Sequence, residues 1–103
     1  MARGDKDEVR DDPLASAILV ALHKAGRGAT VAPMDVAKAY AATRARPSDP
    51  ADLWRRYLPA VRQQAIHLAR HGRIEILRKG QPVDPNDFKG VVRLSLPRDR
   101  TEA

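Results

Sequence analysis

The chain has 103 residues, which is enough for one domain but not for two. It contains no cysteine, so disulfides, thiolate metal sites and cysteine nucleophiles are excluded. No apolar run approaches the roughly 20 residues that a membrane helix needs, and no apolar signal segment begins the chain. These features predict a single soluble, cytoplasmic domain with no membrane contact.

The net charge of +6 is unevenly distributed along the sequence. Residues 1–12 have a net charge of −2, so residues 13–103 have a net charge of +8. Positions 44 to 79 contain nine basic residues and three acidic ones. A surface of this kind attracts polyanions, because binding releases their counterions. The alternative is a general compositional bias, since arginine outnumbers lysine fourteen to five and such side chains are ordinarily solvated.

The first predicted helix follows a charged N-terminal arm. Residues 1–12 have the mixed-charge composition of a disordered segment. Asp12 and Pro13 suit the capping position and the first position of a helix, which Gly26 ends. Apolar residues recur every four positions in this segment and predict the stripe that faces the core, namely Leu14, Ile18 and Leu22.

The middle of the chain predicts one short strand and two further helical segments. Ala29-Thr30-Val31 is β-prone and suits the strand. A helix from Pro33 to about Ala42 follows, and then a basic loop from Arg44 to Ser48. Asp49-Pro50 begins a short helical turn, which ends before the next proline because the residue preceding a proline is disfavoured in helical geometry. A separate helix therefore runs from Pro59 to His71.

After Gly72 the apolar period changes from helical to two, which is typical of half-buried strands. One strand is centred on Ile74–Ile76 and a second on Val92–Leu96. Residues 79–90 lie between them, and two glycines and two prolines make this segment a long hairpin loop. Residues 98–103 are a polar tail.

This order of elements predicts a winged helix-turn-helix over residues 13–97, a mainly α (α+β) fold of three to four helices and a C-terminal β-hairpin. Three motifs resemble those of a family of small bacterial winged-helix-like domains of unknown function: Leu58–Arg62, Gly72–Ile76 and Lys79–Pro85. The resemblance extends over about residues 14–97 and implies a fold, with no activity attached. The connection from Thr43 to Asp52 departs from the family's pattern in its length.

The predicted helix from Pro59 to His71 carries the candidate nucleic-acid-binding residues. The residues predicted to face away from the core are Ala60, Gln63, His67 and Arg70, with Arg62 beside them. A recognition helix turns such a face into the DNA major groove. Glutamine can pair with adenine, and arginine with guanine or phosphate. Further arginines are candidate phosphate contacts, because these contacts need charge but little geometry: Arg44, Arg55, Arg56 and Arg73. The alternative is that all of these side chains are ordinary solvated surface.

The loop of residues 79–90 is the candidate wing, and its charge argues against strong contact with DNA. Its two lysines are balanced by two aspartates, whereas wings that contact DNA bring positive charge. Two prolines stiffen the loop, which equally suits a protein-binding edge or a rigid closure in which Phe88 caps the core. The alternative function is therefore a protein-interaction module, acting with a partner protein or as a homodimer.

Other chemistries find little support in the sequence. His67 and His71 have a metal-ligand spacing, but zinc needs at least three protein ligands, so neither metal nor other cofactor is expected. No serine or glycine-rich segment has the pattern of a catalytic motif, which predicts no enzyme activity. Trp54 and Tyr57 have the spacing of core residues, although either could stack on a base. The sequence thus predicts a non-catalytic domain that binds double-stranded DNA as a transcriptional regulator or accessory factor, with RNA as a minor alternative.

Overall fold

The structure is a computed structural model that describes residues 12–97. The predicted arm, apart from Asp12, and the predicted tail lie outside the described residues. Within them, three helices and three short strands follow in chain order: α1 (Pro13–Ala25), α2 (Pro33–Arg44), α3 (Trp54–Arg70), β1 (Glu75–Arg78), β2 (Gln81–Pro82) and β3 (Arg93–Ser95). This mainly helical α+β arrangement fits the predicted winged-helix layout.

Helix α1 begins and ends as the sequence predicts. The Asp12 carboxylate accepts hydrogen bonds from the backbone N–H groups of Leu14 and Ala15, at 2.7 and 3.2 Å. Gly26 follows the helix with a φ of +92°, a conformation that favours glycine. The helix turns one row of fully buried side chains toward the core, namely Ala15, Ile18 and Leu22.

Helix α2 extends two residues beyond its predicted end and includes Arg44. Ala32 precedes it without a side-chain capping bond, and Asp35 in the first turn complements the helix dipole. Residues 45–53 then connect α2 to α3. The carboxylate of Asp49 closes a turn in this connection by accepting a 2.7 Å hydrogen bond from the backbone N–H of Arg46.

Helix α3 is continuous, so the predicted break before Pro59 is wrong. Pro59 is the sixth residue of the helix, where its missing N–H removes one backbone hydrogen bond. Packing on both sides of the proline keeps the helix continuous, because burial contributes more to helix stability than local propensity does. Before the proline, the ring of Tyr57 meets that of Tyr40 edge-on at 5.0 Å. After it, α3 buries Val61, Ala65 and Leu68.

The strands form an antiparallel sheet in the order β2-β1-β3. β1 and β3 pair through Ile76 and Leu94, which are opposite each other. Val31 extends the far edge, because its backbone exchanges two 2.8 Å hydrogen bonds with Leu94. The strand predicted at residues 29–31 is therefore reduced to a single bridge.

The predicted long hairpin loop divides into two parts. β1 and β2 form a tight hairpin whose turn residues, Lys79 and Gly80, both have positive φ, of 54° and 82°. Two such residues are what a type I′ turn requires, and this turn matches the twist of paired strands. Residues 83–92, called the return loop below, lead back to β3. Their first turn is closed by Asp84, whose carboxylate accepts a 2.9 Å bond from the Asn86 N–H.

The core lies between the three helices and one face of the sheet. Its largest fully buried side chains come from all three helices and from β1 and β3: Ile18, Leu22, Val36, Val61, Leu68, Ile76 and Leu94. Phe88 and Val83 of the return loop pack against this core, as do Trp54 and Tyr57 of α3, and all four are half-buried. None of the helices in the described part of the chain has the length and apolar character that crossing a membrane requires.

Candidate nucleic-acid interface

The outward side of α3 is basic. Four arginines and no acidic residue lie among its 17 positions. Arg56, Gln63 and Arg70 are exposed and seven residues apart, so they form one line along the helix, called the outward row below. At 1.5 Å per residue, the Cα atoms of Arg56 and Arg70 are about 21 Å apart along the axis. The row therefore presents a polar amide between two cations.

The structure places two of the four predicted base-reading residues on the outward row and two beside it. Gln63 and Arg70 are exposed, whereas Arg62 and His67 are half-buried on opposite flanks of the helix. The ring of His67 lies 4.5 Å from that of His71. Arg56 takes a place on the row because α3 begins before Pro59, which the sequence did not predict.

The return loop contacts α3 at two of its arginines. Asn86 Oδ1 accepts a hydrogen bond from Arg70 Nε, and the Arg62 guanidinium lies 5.9 Å from the centre of the Phe88 ring. The sequence did not predict that Asn86 would contact Arg70. The turn sequence from Asp84 to Asp87 is recognisable, but nothing in it indicates which element the turn faces. The return loop, whose two aspartates and one lysine give it a net charge of −1, therefore contacts Arg62 and Arg70 of α3.

A shallow groove runs along α3 beside the outward row. Its volume is about 540 Å³, and it is lined by Trp54, Arg55, Leu58, Pro59, Arg62, Gln63 and Ile66. The half-buried side chains of Trp54, Leu58 and Ile66 give the groove an apolar wall. Two cations lie against the indole ring of Trp54, with Lys38 Nζ at 5.1 Å and the Arg55 guanidinium at 5.2 Å from the ring centre.

The four predicted phosphate contacts are all exposed, and they spread over the whole length of α3. Arg55 and Arg56 lie in its first turn, and Arg73 follows its C-terminal end. Arg44 ends α2, and its guanidinium lies 4.6 Å from the ring centre of Tyr40, which in turn contacts α3. Arg55 also lies 3.8 Å from the Asp52 carboxylate, an exposed pair that contributes little to stability.

Comparison with protein families identifies the family to which the region around α3 belongs. A family model described as "Protein of unknown function (DUF3253)" matches residues 11–97. The chain belongs to the DUF3253 family. The matched region includes every helix and strand described above and all eight predicted contact residues. Comparison with curated proteins gives no match.

In this DUF3253 domain, two of the motifs that carried the predicted resemblance have clear structural roles. Gly72 follows α3 with a φ of +73°, and β1 begins three residues later. Lys79–Pro85 forms the tight hairpin and the first part of the return loop. The first motif therefore forms the turn from α3 into the sheet, and the second leads the chain from the sheet into the return loop.

The described residues of this DUF3253 domain carry twice as many basic as acidic side chains, fourteen against seven. Two of the acids near α3 are engaged locally, Asp49 in the turn before the helix and Asp52 beside Arg55. Among the described residues, no group of three or more His, Asp or Glu side chains is arranged to hold a metal ion. The surface around α3 is thus suited to binding anions by charge and hydrogen bonding.

Proposed function

We propose that this domain binds double-stranded DNA without catalysis, with α3 in the major groove, and acts in the cytoplasm as a transcriptional regulator or accessory factor. The observation that carries the proposal is the outward row of α3, on a helix that has no acidic residue. A helix with its side chains is about 10–12 Å wide and fits a major groove about 12 Å wide. In helix-turn-helix proteins the second helix of the pair occupies that groove.

The residues of the interface have distinct roles in this proposal. Gln63, at the centre of the outward row, contacts a base edge, for which adenine is its bidentate partner. Arg56 and Arg70 at the ends of the row contact phosphates or guanine. The return loop orients Arg70 through Asn86, which reduces the conformational freedom that the arginine loses on binding. The flanking and outer side chains add contacts to the backbone: Arg44, Arg55, Arg62, His67 and Arg73.

A salt titration with three polymers tests this function. Fluorescence anisotropy of the full chain with duplex DNA, duplex RNA and single-stranded DNA should give the tightest binding to duplex DNA. If the six arginines of the proposed interface each neutralise one phosphate, the logarithm of affinity falls with the logarithm of salt at a slope of about −5 to −6. Absence of binding at low salt, or affinity that does not change with salt, contradicts the proposal.

A pair of matched variants locates the contact. Arg56→Ala combined with Arg70→Ala should weaken duplex binding and make the salt slope shallower by about 2, since each phosphate contact accounts for about one unit. Lys24→Ala combined with Arg27→Ala removes the same charge at exposed positions outside the groove, the outward row and the return loop. A control variant that loses as much slope as the α3 variant shows that only net charge matters and that α3 is not the contact.

A protein-interaction module is the second candidate function, and the apolar wall of the groove favours it. Trp54, Leu58 and Ile66 suit an apolar side chain of a partner, and the return loop carries no excess positive charge, since its two aspartates and one lysine sum to −1. This function predicts a dimer or hetero-complex and weak duplex binding with little salt dependence. Sedimentation equilibrium of the full chain, with and without duplex, distinguishes a self-associating protein from a monomer that binds DNA.

A further inference from the structure

A second basic surface lies at the end of the sheet that carries the β1–β2 hairpin, and it includes the outer-face residue Arg93. Directly opposed residues on paired strands point to the same face, and successive residues point to opposite faces. Ile76 and Leu94 are opposed and buried in the core together with the inner side of α3. Leu77 and Arg93 are the next opposed pair, so they face away from the core and from α3.

A recess of about 620 Å³ lies at the hairpin end of the sheet, beside Leu77 and Arg93, within the size range of small-ligand sites. Three cationic side chains line it, Arg78, Lys79 and Arg93, and no carboxylate does among the described residues. Leu77 forms an apolar floor and is 8% exposed, while Val91 beside it is 86% exposed. The recess therefore combines concentrated positive charge with apolar surface.

Hydrogen bonds hold one of the two recess arginines in place before any ligand arrives, and the other lies beside a glycine. Arg93 donates from Nε to Thr30 Oγ1 at 2.6 Å and from Nη2 to the Thr30 carbonyl at 3.2 Å. Arg78 lies against Gly90, where a Cβ atom would be 3.2 Å from both Nε and Nη2. Gly90 also has a φ of +86°, so a larger residue is disfavoured there by both the backbone and the guanidinium. Arg93 therefore loses little side-chain entropy when it binds an anion.

We propose that this recess binds the phosphate group of a nucleotide-sized ligand. A guanidinium presents paired N–H donors that match two phosphate oxygens, and Lys79 at the hairpin tip adds a third cation. Leu77 and Val91 contact the apolar or aromatic part of the ligand. The recess shares no residue with the groove of α3, so this site goes beyond the proposed contact with DNA. A free nucleotide and a polynucleotide present the same chemistry, and a polynucleotide here would let one domain contact two nucleic-acid segments.

Amide chemical-shift mapping on the isotope-labelled full chain tests the site with three probes: adenosine monophosphate, adenosine and a short DNA duplex. The monophosphate should shift the amides of Lys79, Gly80 and residues 90–93, whereas adenosine, which lacks the phosphate, should not. Arg78→Ala combined with Arg93→Ala should weaken this binding at least about tenfold, because two charge-assisted hydrogen-bonding groups are lost. Lys24→Ala combined with Arg46→Ala, which removes the same charge at exposed positions outside the recess, should change it by less than about twofold.

Each outcome of this experiment supports or overturns the site. Shifts at the recess with the duplex alone support a phosphate contact and identify a polynucleotide as its source. Equal shifts with adenosine, or no shift at the recess with any probe, overturn it. If the double variant fails to fold, Arg78→Gln, which leaves the Arg93–Thr30 bonds in place, should still weaken binding of the monophosphate. The amides of α3 report the proposed DNA contact separately, so the failure of one surface is distinguishable from the failure of the other.

Discussion

Replacing Pro59 with alanine should stabilise the domain, because this proline lies inside α3. Its nitrogen has no hydrogen to donate to the carbonyl of Arg55, four residues earlier, and its ring crowds that carbonyl. Proline in a helix interior is about 3 kcal/mol less favourable than alanine. Pro59 is exposed, so the substitution removes little buried surface from the core.

The unfolded chain offsets part of this gain. Alanine leaves the unfolded chain more conformational freedom than proline does, an effect of about 0.4–1 kcal/mol. The free energy of unfolding should therefore rise by about 2 kcal/mol, which raises Tm by roughly 8–16 °C in a domain of this size.

Pro13→Ala is the matched control for this substitution. Pro13 is exposed and occupies the first position of α1, where a backbone N–H has no partner within the helix. This variant loses the unfolded-state benefit without regaining a helix bond, so its stability should fall by about 0.4–1 kcal/mol. Urea unfolding followed by far-ultraviolet circular dichroism measures both. If Pro59→Ala is no more stable than Pro13→Ala, Pro59 does not destabilise a continuous α3. The segments on either side of it then behave as separate helices.

Three further substitutions test the cap, the core and the support of α3. Asp12→Ala removes two hydrogen bonds at the start of α1 and should lower the free energy of unfolding by about 1 kcal/mol, measured by urea unfolding, whereas Asp12→Ser should retain most of it. Leu94→Ala empties a fully buried position of the sheet and should cost about 2–5 kcal/mol in the same assay. Asn86→Ala removes the acceptor that orients Arg70 and should weaken duplex binding roughly threefold to tenfold in anisotropy, with Tm nearly unchanged; unchanged affinity would show that the loop does not support α3.

Helix ends were predictable from the sequence where the signal is local. Asp12 and Pro13 before α1, and Gly26 after it, act through their own backbone and nearest neighbours, so their effect does not depend on the rest of the fold. The same holds for Pro33 at the start of α2. The alternation around Ile76 and Leu94 likewise indicated two strands with one buried face.

The errors arise where distant contacts determine the structure. The local preference against a helix before Pro59 is outweighed by packing of α3 on both sides of the proline. The strand at Gln81-Pro82 has no alternating pattern of its own, and its pairing with β1 is set by the two-residue turn at Lys79 and Gly80.

The sequence predicted only part of the candidate site, because the rest depends on where α3 begins and on contacts between distant residues. Gln63, His67 and Arg70 were expected to face outward; Gln63 and Arg70 are exposed, whereas His67 is half-buried. A helix that starts at Pro59 cannot include Arg56, so the third member of the row depended on where the helix begins. The contact between Asn86 and Arg70 joins residues 16 positions apart, and no periodicity in the sequence indicates it.

Photocrosslinking from position 63 tests most directly whether the outward row of α3 meets DNA. The chain has no cysteine, so Gln63→Cys and Ser16→Cys each provide one thiol for a photoreactive label. Both positions are exposed, but Ser16 lies on α1. We expect a covalent adduct with duplex DNA from position 63, lost at high salt, and little from position 16. Crosslinking from position 16 that equals or exceeds that from position 63 would contradict the assignment of α3 as the DNA-binding helix.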